Sequence, residues 1–209
     1  MDRITIVLGL GNPGARYRAT RHNVGFWVLD RLAERRRVKF HISSDLFGRA
    51  WTAETEGPSG PVVLAKPRTH MNRSGRAAAA LCRRYAVQPE QFLVVHDDAD
   101  LELGRLRVRP GGRAGGHNGM RSLIEALRTD RLPRVKLGVR GASRDEVELA
   151  DYVLEDFAPA ELRIAEGLAD LAVEAVGSVL DHGLATTMND YNARLVTPLT
   201  DRPDRSEED

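Results

Sequence analysis

Six short apolar runs alternate with helical patterns along this chain, and that alternation limits its fold more than any other feature. The runs Ile4–Leu8, Ala50–Glu54, Val62–Ala65, Phe92–His96, Leu106–Arg109 and Arg134–Val139 have strand length and composition. Helices are predicted over Val24–Arg36, Ser74–Tyr85, Met120–Leu127 and Ala160–Leu180, with a short one over Ala185–Asn192. In the longest, Leu162, Ala165, Leu168, Leu171, Ala172, Ala175, Val176 and Val179 recur at helical spacing. This order predicts an α/β fold, a three-layer sandwich with one twisted central sheet and helices on both faces. The loop "EGPSG" joins Ala50–Glu54 to Val62–Ala65 as a hairpin, so the sheet is mixed. A single domain over residues 1–195 holds these elements. The charged tail 196–209 is poor in apolar residues and is expected to be disordered.

Composition removes several function classes. No stretch reaches the ~18 apolar residues of a membrane span. The chain enters its first strand so soon after Met1 that no leader segment is expected. Cys82 is the only cysteine and lies in the helical "AAAALCRRYA", which leaves no disulfide and no cysteine metal cluster. A cytoplasmic protein is expected. The net charge of +1 conceals a division: residues 1–145 carry 27 Lys+Arg against 14 Asp+Glu, and residues 146–209 carry 4 against 16. A genome rich in arginine codons would raise arginine but would not sort charge by region. Arginine forks match phosphate oxygens and stack on bases, so the first two thirds are expected to meet a polyanion.

Four polar stretches fall where α/β sheets gather their ligands, at the carboxyl ends of strands. "GNPGARYRATRHN" follows Ile4–Leu8, "THMNRSG" follows Val62–Ala65, "HDDAD" closes the strand at Phe92–Val95, and "GGRAGGHNG" precedes the helix at Met120. The loop "GLGNPG" fits neither a dinucleotide fingerprint nor a Walker motif. Its Asn12 brings an amide that a turn alone does not need. His22, between Arg21 and Asn23 at a helix start, is the candidate general base, because nearby positive charge and the helix terminus both disfavour an imidazolium. Asp97 or Asp98 could accept its other ring N–H; the acids could instead hold Mg²⁺, although the other loops offer few carboxylates. With no G-x-S-x-G motif and Cys82 in mid-helix, a His–Asp pair points to direct attack by activated water. Asn12, Asn72 and Asn118 could position that water and stabilise an oxyanion. Glycine-rich "RPGGRAGGHNG" and Arg105, Arg107, Arg109 and Arg113 suit phosphate contacts.

Together these stretches resemble the bacterial peptidyl-tRNA hydrolase family, which cleaves the ester joining a peptide to tRNA. The resemblance rests on "GLGNPGARYRATRHNVGF", "KPRTHMNRSG", "VVHDDADLELGRLRVRPGGRAGGHNGMRSL" and "KLGVRG", in order over residues 4–141, and continues in "DYVLEDF" at 151–157. It implies a monomeric esterase with no metal or organic cofactor, whose partner is tRNA and which needs no further protein and no membrane. It implies His22 as the base, Asp97 rather than Asp98 as its support, and Asn12 as the amide that recognises the peptide at the ester. Asn72 and Asn118 are implied to bind substrate and hold the water, with Tyr17, His70, Met71 and His117 in the same cleft. Arg107, Arg109, Arg134 and Lys136 match positions that touch tRNA phosphates. Two features depart from the family's pattern. His70 stands where Phe or Tyr usually precedes Met71, and Arg140-Gly141-Ala142-Ser143-Arg144 replaces the usual Gly-x-Pro after "LGV". The rivals are a non-catalytic tRNA-binding relative, a nucleotide-binding enzyme and a general amidase.

Overall fold

The computed structural model describes residues 3–42, 44–46 and 48–197. Its strands are β1 (Ile6–Gly9), β2 (His41–Ile42), β3 (Ala50–Gly57), β4 (Gly60–Pro67), β5 (Phe92–Glu102), β6 (Leu106–Arg109) and β7 (Arg134–Arg140). They form one sheet in the order β2-β3-β4-β1-β5-β7-β6. Neighbours β4-β1-β5-β7 run parallel, while β2, β3 and β6 pair antiparallel with their neighbours. The helices are α1 (Val24–Arg35), α2 (Ser74–Tyr85), α3 (Asn118–Leu127), α4 (Leu149–Tyr152), α5 (Pro159–His182) and α6 (Leu184–Tyr191).

Alternation along the central strands decides the layers. Val7, Leu93 and Val95 face α1 and α5, meeting Val28, Leu29, Leu32, Leu168, Ala172 and Val176. Ile6, Leu8, Phe92 and Val94 face the other way, against Ala78 and Leu81 of α2 and Leu123 of α3. The result is the mixed, three-layer α/β sandwich that the alternation predicts. Two glycines set how closely the layers approach. A Cβ on Gly25 would lie 2.4 Å from the Leu10 carbonyl and 2.5 Å from that of Val95, so α1 sits directly on β1 and β5. At Gly75 a Cβ would come within 2.1 Å of the Ser122 carbonyl, where α2 crosses α3. No helix among the described residues is long and apolar enough to cross a membrane.

Several boundaries differ from the sequence expectation: β3 runs to Gly57 and β4 begins at Gly60, so the hairpin turn is shorter than "EGPSG", and β2 was not expected. β5 does not stop at His96 but runs to Glu102, pairing Asp97 with Leu137 and Asp98 with Gly138 of β7. The acids therefore sit within the strand rather than in a loop beyond it. α3 begins at Asn118, two residues before the expected Met120, because the His117 ring accepts the N–H groups of Gly119 and Met120 and caps it there. At the C-terminus, Val196 still donates its N–H to Gly104 and packs against the core, one residue past the expected end of the domain. The remainder of the expected disordered tail lies outside the described residues from 198 onward.

Candidate active site

β1 lies between β4 and β5, so the connections leaving β1 and β4 and the outer half of β5 converge above one point of the sheet, its topological switch. The loop after β1 brings Asn12, Tyr17 and His22. The turn after β4 brings His70, Met71 and Asn72, β5 brings Asp97, and the start of α3 brings His117 and Asn118.

Asp97 is 2% exposed, and both of its oxygens lie 2.9 Å from His22 Nδ1. One of them also lies 2.9 Å from His117 Nε2. Burial alone would raise the Asp97 carboxyl. The two imidazoles outweigh it by donating their N–H groups to the charged form, and hold the group well below the ordinary carboxylate range. An ionised carboxylate only accepts, so His22 Nδ1 and His117 Nε2 both carry hydrogen. His117 Nδ1 accepts from two backbone N–H groups, which agrees with that assignment. The Nε2 lone pair of His22 is thereby left facing away from the carboxylate.

His22 does not lie within α1, which begins at Val24 as expected, but in the 3-10 turn Arg21–Asn23 just before it. Nor does Arg21 set the local charge. Its guanidinium turns away to Glu161 at 2.8 Å and Glu155 at 3.5 Å and stacks on Tyr152. Backbone bonds from Arg21 N–H to Glu155 and from His22 N–H to Val153 tie the turn to the segment around α4. Asp98, the sequence alternative to Asp97, accepts from Asp100 N–H and pairs with Lys136, away from His22.

Asn12 is fixed at three points. Asn23 Oδ1 accepts its backbone N–H at 2.8 Å, Asn23 Nδ2 donates to its carbonyl at 3.0 Å, and its own Oδ1 accepts from Met71 N–H at 2.8 Å. The Asn12 NH2 group is left as the donor. Asn12, Tyr17, His22, His70, Met71, Asn72 and Asn118 line one open cleft of about 430 Å³, closed on the far side by Ala150, Val153 and Leu154. His117 stands behind His22, ring centroids 4.7 Å apart.

The basic residues separate. Arg109 is exposed and Arg107 half-buried on the edge strand β6, facing Arg134 and Lys136 in register. Arg134 departs from the expected phosphate contact. It is 2% exposed, and its guanidinium donates to the carbonyls of Leu132, Arg113, Gly112 and Asp130, so it props the glycine loop from beneath. Lys136 is half-buried and held by Asp98.

His22, Asp97 and His117 are close enough to suggest a metal site. His117 has no lone pair to give, however, because Nδ1 caps α3 and Nε2 donates to Asp97. Sequence reasoning did not find the roles of Asn23 or of the Ala150–Leu154 wall. Asn23, Val153 and Leu154 lie in quoted stretches, but their contacts join residues far apart in the chain.

An α/β sheet with a histidine–carboxylate centre at its switch point, beside a cleft of amides, defines a class of hydrolytic enzyme. The chain belongs to the peptidyl-tRNA hydrolase family, whose model matches residues 6–198. Peptidyl-tRNA hydrolase from Synechocystis is 46% identical over 193 residues, covering 92% of this chain and 98% of that one. The Chloroflexus aurantiacus protein of the same name is 44% identical, covering 90% and 98%. Crystalline peptidyl-tRNA hydrolase from Acinetobacter baumannii superposes with a TM-score of 0.84 at 30% identity, covering 93% of this chain and 97% of its own.

Proposed function

We propose that this chain hydrolyses the ester between a peptide and the 3′ end of tRNA by direct attack of a water that His22 activates. The observation that carries this reading is the Asp97–His22 contact, which fixes the imidazole with its basic nitrogen away from the carboxylate. His22 Nε2 takes a proton from water as the oxygen attacks the ester carbonyl. Asp97 stays ionised and stabilises the imidazolium. The NH2 groups of Asn12 and of Asn72 or Asn118 donate to the peptide and to the developing oxyanion. Collapse breaks the bond to the ribose oxygen, which leaves as the hydroxyl by taking the proton from His22, so no covalent acyl-enzyme forms. As proposed, the reaction uses groups of a single chain and no cofactor. Arg107 and Arg109 on the edge strand would meet the tRNA phosphates.

The test compares N-acetylated with free aminoacyl-tRNA. Cleavage of the acetylated ester alone is expected, since only it offers a peptide-like carbonyl to Asn12. Equal cleavage of both, or of neither, would overturn the reading.

A further inference from the structure

On the other side of the Asn12 loop lies a second cleft, of about 390 Å³, which the chemistry above does not use. In a chain with two Trp and five Phe, both tryptophans and two of the phenylalanines converge on it: Phe26, Trp27, Phe40 and Trp51. Three of the four rings are half-exposed. Phe26 and Trp51 meet edge to face at 6.3 Å, and Trp27 is fixed by donating its indole N–H to the Arg18 carbonyl at 2.7 Å. Lys66 lies among the rings, its ammonium 4.3 Å from the Phe40 centroid and 5.5 Å from that of Phe26, and pairs with exposed Asp30. That pair neutralises the Lys66 cation, and Arg18 also lines the cleft beside the four rings. Rings gathered on an open surface are typical of recognition sites.

Sheet order gives the cleft a direction. His22 and Asp97 stand over β1 and β5. Arg107 and Arg109 lie on β6 at one end of the sheet, while Trp51 on β3 and Lys66 on β4 lie on the opposite side of β1. Asn12 lines both the catalytic cleft and the aromatic one. We infer that the aromatic cleft is a subsite for the peptide half of the substrate, taking an aromatic or bulky apolar side chain upstream of the esterified residue. The inference rests on the proposed function, in which RNA approaches from β6 and the peptide therefore leaves past Asn12 toward β4 and β3. Asn12 joins the two sites: its NH2 serves the peptide at the ester, and its backbone, gripped by Asn23, borders the aromatic floor.

The test has two arms. In the first, wild type, Phe40→Ala and Trp51→Ala act on tRNA bearing acetyl-Gly, acetyl-Ala-Ala-Gly or acetyl-Phe-Phe-Gly. Wild type should prefer the Phe peptide in kcat/KM by about tenfold over the Ala peptide, and the variants should lose that preference while cleaving acetyl-Gly-tRNA within about twofold of wild type. In the second, intrinsic fluorescence is followed as free acetyl-Phe-Phe-Gly or the trinucleotide CCA is added. Both tryptophans line the cleft, so the signal reports its occupancy without catalysis. A response to the peptide that weakens in Phe40→Ala supports the inference. A response to CCA alone would make the cleft a nucleotide site and overturn it. Silence to both, with no substrate preference, would leave the rings as edge packing and also overturn it. Should wild type cleave none of the esters, the proposed function fails, and the fluorescence arm still decides whether the cleft holds peptide.

Discussion

Asn23 grips the peptide units on both sides of Asn12, accepting its N–H at 2.8 Å and donating to its carbonyl at 3.0 Å. The position of the Asn12 amide is therefore set by a neighbour that has no reach to the ester itself. Asn23→Ala would leave both backbone groups without partners, at a cost of about 1–3 kcal/mol for each group that stays buried. The expected result is a lower Tm, a fall in kcat/KM on acetyl-aminoacyl-tRNA of about tenfold or more, and unchanged tRNA affinity. Steady-state kinetics beside a tRNA-binding isotherm would check it; a loss confined to binding would contradict it.

Asp97→Asn tests the support of the base. The carboxylate, held low by His22 and His117, stays ionised through the neutral range and fixes the His22 tautomer. A neutral amide of the same shape removes the charge that balances the imidazolium and allows the ring to flip. Turnover should fall by a factor of about 10² or more while tRNA binding holds. Activity within a few-fold of wild type would argue against Asp97 as the partner of the base.

His96 makes stability depend on pH. Burial above all, with the Arg134 guanidinium, holds its ring well below the ordinary imidazole range, although Asp97 pulls the other way. Its Nδ1 donates to the Asp97 carbonyl and its Nε2 has no partner. In the unfolded chain the ring takes a proton near pH 6.5 or so. Between the folded and unfolded values the unfolded state binds more protons, so stability is lost as pH falls below about 6.5. His96→Asn keeps a donor for the Asp97 carbonyl and should flatten Tm against pH between about 5 and 6.5. Parallel curves for the two proteins would contradict this.

Arg109 and Arg134 should respond in opposite ways. Arg109→Ala is expected to weaken tRNA binding and lower the slope of log affinity against log salt by about 1, with Tm unchanged. Arg134→Met should leave that slope intact and lower Tm, because four carbonyls under the glycine loop lose their donor. An unchanged Tm in the Arg134 variant would return it to the phosphate face.

The layers, the mixed sheet and the loops that carry the site were legible in the sequence because each follows from local pattern: alternation in Ile6–Leu8 and Phe92–Val95, helical spacing in α5, and turn chemistry in Asn12-Pro13-Gly14. What was not legible depends on partners distant in the chain. The buried, carbonyl-bound state of Arg134 cannot be told from the exposed state of Arg109 by composition, since both alternate along adjoining strands. The same holds for Arg21, whose charge appears in sequence beside His22 but in space is taken up by Glu155 and Glu161. The end of β5 was misplaced because acids usually mark a strand's limit, whereas here Asp97 and Asp98 continue the ladder with β7.

The central claim is that His22 activates the attacking water, and single-turnover cleavage of acetyl-aminoacyl-tRNA by wild type and His22→Ala tests it most directly. The account predicts a variant that folds, binds tRNA as wild type does, and cleaves at least about 10²-fold more slowly. Cleavage by the folded variant at a rate near that of wild type would contradict it.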